Sequence, residues 1–226
     1  MTRIMKALVP VRSGSLRVEN KNIRPFCDTT LLHVRVKQLL QLPFLQGVVV
    51  SSNDDEMIRM AHEMGAETHK RDEYYGSNTV SMSEVYENMA SALECDDLLY
   101  ALVTTPLVSD ESFIKAYEVY TGLSSEFDSL TTVEDVKEFL IKDGKPYNYD
   151  GKKIPRSQDL PDITKLTFCI SMLPREMMVA NRSCLGKSPY FMKLPQEESI
   201  DIDTTFDFKV AELLYEDKLK HQKKHK

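Results

Sequence analysis

The chain has 226 residues, 42% of them hydrophobic and 28% charged, with a formal net charge of −6. That length and apolar content suit one medium-sized domain with a substantial core. The acidic balance argues against a general nucleic-acid binder, while leaving room for a small anion held by a local cationic loop. No apolar stretch is long enough for a secretory signal or a membrane-spanning helix, and Cys27, Cys95, Cys169 and Cys184 form no CxxC pair. The expectation is a cytoplasmic protein with reduced thiols, no zinc site and no redox motif.

Ala7, Leu8, Val9 and Val11 make a near-continuous apolar run that predicts a strand buried on both faces. From Arg12 to Asn22 the apolar run stops, and the chain holds Ser13, Gly14, Ser15, Arg17 and Lys21. A buried strand feeding a small-residue, cationic loop can cradle phosphate: small residues let backbone N–H groups approach the anion, and the Arg and Lys side chains neutralise its charge. The loop is neither GxxxxGK[ST] nor GxGxxG.

Leu31, Leu32, Val34, Val36, Leu39 and Leu40 predict a helix over 29–40 with Thr29 or Thr30 as N-cap, closed by Pro43. A short buried strand over 47–51 follows. The next helix starts at Asp54 and Asp55, carries Met57, Met60, Ala61 and Met64, and ends at Gly65. This repeated strand–helix order is the grammar of a parallel sheet with helices on both faces. A short strand over 66–70 runs into Arg71, and 72–79 reads as a polar loop. A helix through Val85 and Leu93 is capped by Ser81 or Ser83, and a strand over 98–103 ends in Thr104-Thr105-Pro106-Leu107. A helix from Ser109 to Gly122 and a strand over 128–133 come next. The rhythm then breaks: Asp143-Gly144 and Asp150-Gly151 are favourable hairpin turns, so 137–172 reads as a β-rich insertion within a single domain spanning 1–226. A strand over 167–172, a short helix over 174–179, a strand over 190–194 and a helix over 205–219 complete the chain.

A second chemical signal lies at Ser199-Ile-Asp-Ile-Asp-Thr-Thr-Phe-Asp-Phe208. In an extended segment, residues two apart point to the same side, so Asp201 and Asp203 project together while Ile200 and Ile202 face the core. Such a carboxylate pair suits Mg2+, which prefers oxygen ligands and keeps waters and phosphates in its shell. Asp207 belongs to the first turn of the following helix, where negative charge is favoured. The five histidines have no metal-ligand spacing, and no side chain stands out as a general base.

Residues 9–22, VPVRSGSLRVENKN, resemble the opening motif of the cytidylyltransferases that activate nonulosonic acids, the family of CMP-sialic acid synthetase (acylneuraminate cytidylyltransferase). Arg12, Gly14, Ser15, Lys21 and Asn22 fall on that pattern without a gap; Leu16 stands where the family has lysine, and Arg17 where it has glycine. The 199–208 segment resembles the family's metal motif, with Asp201 and Asp203 matching its metal-binding aspartates. Arg71 corresponds to an arginine near the nucleotide, and Ser83 or Ser81 to a serine contacting the cytidine. The 98–107 segment resembles L-L-Q-P-T-S-P-L, with Val103 at the glutamine position, followed by Thr104. Pro155-Arg-Ser-Gln-Asp-Leu-Pro161 resembles the segment preceding the sugar-binding strand, so Arg156 and Gln158 would reach the sugar acid or a partner subunit; Lys165-Leu166-Thr167 stands where many relatives carry Asn-Gly.

The resemblance implies an α/β fold of the nucleotide-diphospho-sugar transferase-like Rossmann type, with a mainly parallel sheet and helices on both faces. It implies Mg2+-dependent transfer of CMP from CTP to a 2-keto-3-deoxy sugar acid, with release of pyrophosphate. Arg12, Lys21 and the backbone N–H groups of Ser13 to Ser15 would hold the triphosphate, Asn22, Arg71, Ser83 and Thr104 would complete the nucleotide site, and Asp201 and Asp203 would hold the metal. The family's habit is a homodimer in which the insertion reaches the neighbour's cleft; no nucleic-acid or membrane partner is implied. A Kdo-type acid, another nucleotide, or a nucleotide-binding module without turnover are the alternative readings.

Overall fold

The structure, a computed structural model, describes residues 3–15 and 17–224; Leu16, at the family's lysine position, lies outside the described residues. The first half alternates strand and helix: β1 (Met5–Pro10), α1 (Leu31–Leu40), β2 (Val48–Ser52), α2 (Asp55–Glu63), β3 (Glu67–Lys70), the short α3 (Glu73–Gly76), α4 (Met82–Ser91) and β4 (Asp97–Ala101). The second half holds α5 (Asp110–Thr121), β5 (Ser129–Val136), a small hairpin of β6 (Ile141–Lys142) and β7 (Lys145–Pro146), β8 (Ile163–Pro174), α6 (Arg175–Asn181), β9 (Pro189–Lys193) and α7 (Thr205–Lys224). Short polar side chains start the helices where the sequence placed them. Thr30, Asp54, Ser81 and Ser109 accept from the amides of His33, Met57, Glu84 and Ser112, satisfying donors that a helix start leaves open.

Seven strands form one sheet in the order β3-β2-β1-β4-β8-β5-β9. β1 pairs in parallel with both β2 and β4, and β5 in parallel with β9, while β8 runs antiparallel to β4 and β5. Strand alternation then divides the core. Ala7 and Val9 face α1, α2, α5 and α7 through Leu32, Met57, Phe113 and Phe208. Leu8 faces α4 and α6 through Met89 and Met178. Helices therefore cover both faces of a mainly parallel sheet. No helix among the described residues is long and apolar enough to cross a membrane.

The chain winds from β1 outward to β2 and β3, then returns to place β4 on the other side of β1. In open α/β sheets, a reversal of this kind leaves a crevice beyond the carboxyl ends of the two central strands. The 12–22 loop leaves β1 there, and the Leu102–Thr105 turn leaves β4.

Four local expectations are corrected. The 72–79 stretch, expected to be a polar loop, holds the one-turn helix α3, started by Asp72, whose side chain accepts from the Tyr74 amide. Asp143-Gly144 forms the hairpin turn, but Asp150-Gly151 closes only a turn, with the Lys153 amide donating to the Asp150 carbonyl at 3.1 Å, because no strand flanks it. β8 is twelve residues long and starts at Ile163, earlier than the apolar pattern suggested; its first residues are held by backbone pairing to β5 rather than by burial. Residues 200–204 join no strand ladder; they follow a 3-10 turn over Gln196–Ser199 as irregular chain, with Ile202 fully buried and Ile200 only half-buried.

Candidate active site

Beyond β1 and β4 lies a cleft of about 520 Å3, a volume within the range of small-molecule sites. Its polar lining includes Arg12, Ser15, Arg17, Lys21, Asn22, Arg71, Ser77, Asn78, Thr104 and Asp203. Residues from both ends of the chain therefore meet, as the two sequence motifs required.

The loop after β1 is built by side chains that reach back to its backbone. Gly14 turns it at φ +75°, a left-handed conformation that costs glycine little. Asn22 is buried and donates to the Arg12 carbonyl at 3.1 Å, while its own carbonyl accepts from the Leu32 amide. Asn53, at the end of β2, accepts from the Ser13 amide at 3.3 Å and donates to the Ser13 hydroxyl and the Glu73 carboxylate, each at 3.0 Å. The Ser13 amide is thus already engaged, which corrects its expected place among the phosphate-binding amides; neither Ser13 nor Gly14 lines the cleft. Arg12 donates to the Gly76 carbonyl at 3.1 Å, tying the loop to α3.

Arg71 follows β3 and is buried, its guanidinium donating to the Val11 carbonyl. Its Nε has no partner among the described residues, although a buried donor without an acceptor is costly. Burial draws its pKa down to about 10, so it remains cationic at neutral pH. A buried cation with one N–H left over, bordering a cleft, suits an anionic or carbonyl-bearing ligand.

Opposite stands the 200–204 segment. The Ile202 amide donates to the Thr104 carbonyl at 2.8 Å, and Lys21 Nζ donates to the Ile202 carbonyl. Asp203 pairs with Arg17 at 3.0 Å and lies 3.8 Å from Lys21 Nζ. Burial pushes the Lys21 pKa down, against the attraction of Asp201 and Asp203. Part of Asp201 meets solvent, yet protein crowds its carboxyl. Burial, and then the nearby charges of Asp203 and Asp207, push its pKa up against a hydrogen bond from Thr104. Asp207 itself accepts from the Asp203 and Thr204 amides at 3.1 and 2.7 Å. Against the burial that raises it, these bonds and that from the Thr204 hydroxyl hold Asp207 below the usual range.

Asp201 lines a second, neighbouring cavity of about 390 Å3 with Glu134, Lys165, Thr167, Gln196 and Asp207. Arg156 and Gln158 line neither cavity: Arg156 is exposed and forks onto Asp159 at 2.8 and 3.3 Å, and Gln158 is exposed in the 3-10 turn. Ser83 is exposed on α4, and Ser81 is spent as the cap of that helix with Glu84. The polar groups reaching the cleft from this side are Ser77 and Asn78. Sequence alone gave no role to Asn53, whose partners Ser13 and Glu73 lie 40 and 20 residues away, and marked Lys165 only as a departure from the family pattern; only the Ser52-Asn53-Asp54 strand end carried a hint.

Residues 6–150 match the cytidylyltransferase family, and the chain belongs to it. Among relatives, it is 28% identical over 226 residues to a pseudaminic acid cytidylyltransferase of Campylobacter jejuni, spanning 95% of this chain and 97% of that protein. It is 26% identical over 214 residues to N-acylneuraminate cytidylyltransferase B of Danio rerio, covering 91% of this chain and 50% of that longer protein. In fold, it superposes with a TM-score of 0.70, at 12% identity, on CMP:2-keto-3-deoxy-manno-octonic acid synthetase complexed with CTP, covering 95% of this chain and 99% of that one.

Proposed function

We propose that this cytidylyltransferase transfers CMP from CTP to a nonulosonic acid, a 2-keto-3-deoxy sugar acid of the sialic or pseudaminic kind. The observation that carries this reading is the gathering of Arg12, Lys21 and Arg71 around one cleft, with Asp203 at its rim. A hydroxyl oxygen of the acid forms a bond to the α-phosphorus of CTP as the bond to the departing pyrophosphate breaks, and the hydroxyl proton is released to water. Such chemistry needs alignment and charge neutralisation more than covalent catalysis. Arg12, Arg17 and Lys21 face the triphosphate and stabilise negative charge on the leaving group. Arg71, with its free Nε, completes the nucleotide end of the cleft.

Asp201 and Asp203 fit a divalent cation. Burial and like charge press on Asp201, a strain that an oxygen-preferring cation relieves. Among the described residues no cluster of three or more His, Cys, Asp or Glu could hold a metal, so waters and phosphate oxygens would complete the shell of Mg2+. When bound, the cation supplies charge neutralisation at the reacting phosphate. Asp203 then exchanges its pairing with Arg17, leaving that guanidinium to turn to the triphosphate.

The acid takes the second cavity, where Lys165 on β8 is the cation available to its carboxylate; at rest Lys165 pairs with Glu134 of β5 at 3.3 Å. Exposed Phe139, Ile141, Tyr147 and Ile154 in the excursion after β5 support a homodimer contact there. A CTP donor and four unpaired cysteines suit a cytoplasmic enzyme. The test is pyrophosphate release with CTP, Mg2+ and a panel of 2-keto-3-deoxy sugar acids, with each other nucleoside triphosphate as control. Release with CTP and one acid is expected. Clear CTP binding with no release from any acid would reject the transfer reading.

A further inference from the structure

Arg35 is the bulkiest of the fully buried side chains and lies outside every sequence motif. It sits on the core side of α1. Its Nε donates to the Leu102 carbonyl at 3.0 Å, and its Nη2 donates to the Thr105 carbonyl and, at 3.3 Å, to the Thr105 hydroxyl. Nη1 donates to Gln38 Oε1, and the guanidinium carbon lies 5.0 Å from the centre of the Phe113 ring. Gln38 extends the same grip: its Nε2 donates to the Val108 carbonyl at 2.9 Å and to Asp110 at 2.7 Å. Burial draws the Arg35 pKa down to about 10, which leaves the group cationic at neutral pH.

A buried cation whose hydrogen-bond partners are carbonyls, a hydroxyl and an amide, rather than a carboxylate, is rare and costly to keep. What it holds is the chain leaving β4. Between the two clamped carbonyls lie Val103 and Thr104, both of which line the nucleotide cleft. The Thr104 carbonyl in turn accepts from the Ile202 amide, the residue between Asp201 and Asp203. One guanidinium is therefore linked, in two steps, to the turn at the cleft wall and to the residue between the two aspartates.

We propose that Arg35 is a positioning residue for cytidylyl transfer, setting the Val103–Thr104 turn and, through Thr104 and Ile202, the two acidic side chains. The inference rests on the transfer reading of the cleft. Arginine suits the task because its planar fork meets two carbonyls at fixed geometry, whereas a lysine offers one point charge.

The test compares wild type with Arg35→Lys at a temperature well below the unfolding midpoint of either protein. In the variant, kcat is expected to fall about 10- to 100-fold, as it does when reacting groups are misplaced by a fraction of an ångström to an ångström. The KM for the acid should move less than about threefold, and the Mg2+ concentration giving half-maximal rate should rise. A folded Arg35→Lys protein with wild-type kcat and metal requirement overturns the proposal. Should that variant fail to fold, Gln38→Met decides: it leaves the guanidinium but removes its brace, and a smaller fall in kcat with a raised Mg2+ requirement is expected, whereas wild-type kinetics overturn the proposal. If wild type itself releases no pyrophosphate with any acid, the fault lies in the transfer reading. Calorimetry without acid then judges Arg35 separately: the increase in CTP affinity conferred by Mg2+ must shrink in the variant, and an unchanged increase rejects the positioning role.

Discussion

Gly76 closes α3 with its Cα against Asn53. A methyl group added there would lie 2.5 Å from Cγ and Nδ2 of Asn53 and 2.9 Å from its Cβ. Asn53 cannot simply turn aside, because it is buried and bonded to the Ser13 amide, the Ser13 hydroxyl and Glu73. Overpacking of this kind costs about 1–3 kcal/mol, and a bond broken in the attempt about 1 kcal/mol more. Replacing glycine by alanine in a helical turn returns about 0.5–1 kcal/mol. The net loss for Gly76→Ala is then about 2 kcal/mol, or about 4–8 °C in unfolding midpoint for a chain of this size. The loss should also reach function, since Asn53 holds Ser13 and the Gly76 carbonyl holds Arg12; the KM for CTP should rise. The assay is a thermal unfolding cycle with Asn53→Ala and the double variant. Removing the side chain beyond Cβ removes the two 2.5 Å contacts and leaves only the one at 2.9 Å, so Gly76→Ala should cost the Asn53→Ala protein much less than it costs the wild type, a strongly non-additive result. Additive losses, or a Gly76→Ala protein with wild-type midpoint and KM, would refute the steric argument.

Asp201→Ala and Asp203→Ala should each lower kcat by at least about 10²–10³, the scale on which charge-stabilising groups act, with unchanged circular dichroism; near-wild-type turnover in both would sink the metal assignment. Arg17 and Asp203 form an exposed pair, 67% and 49% accessible at 3.0 Å, worth about 0–1 kcal/mol. Arg17→Ala should therefore leave the unfolding midpoint in place. It should still raise the KM for CTP about 10-fold or more, because hydrogen bonds to charged groups are worth about 1.5–3 kcal/mol; an unmoved KM would confine Arg17 to holding Asp203. Lys165→Met should raise the KM for the acid and not that for CTP in initial-rate kinetics, and the reverse pattern would displace the acid from the second cavity. Protons and Mg2+ compete for Asp201, whose carboxyl is held above the usual range. Raising Mg2+ from limiting to saturating should move the acid limb of the pH–rate profile to lower pH, and a limb that stays put would count against Asp201 as a ligand.

The parts of the molecule legible in the sequence are those where short-range chemistry decides. The apolar run at Ala7–Val9 and the caps at Thr30, Asp54, Ser81 and Ser109 each carry their reason within a few residues, whereas the alternation expected of 200–204 fails: Asp203 lines the first cavity and Asp201 the second. So the α/β fold, the order of its elements and the meeting of Arg12, Lys21, Arg71, Thr104 and Asp203 could be anticipated. What escaped was decided across the sheet. Asn53 acts on Ser13, forty residues away, and Arg35 sits at an apolar-face position of α1 while reaching the turn after β4; periodicity alone cannot distinguish such a residue from a solvated arginine. Ser83 was offered as a nucleotide contact, but the cap at Ser81 fixes the rotation of α4 and leaves Ser83 exposed. Arg156 and Gln158 matched a motif by identity alone; exposed and lining neither cavity of their own chain, they keep only a partner subunit as their expected contact.

The antiparallel strand β8 has a consequence for synthesis on the ribosome. All five residues of β4 are buried in the finished fold, and one of its two edges is covered only by β8, some sixty residues later in the chain. Until that segment emerges, the nascent protein presents the largely apolar Leu98–Ala101 run with an open hydrogen-bonding edge, the kind of template on which chains aggregate. Truncations ending before Ile163 should therefore be the forms found in inclusion bodies.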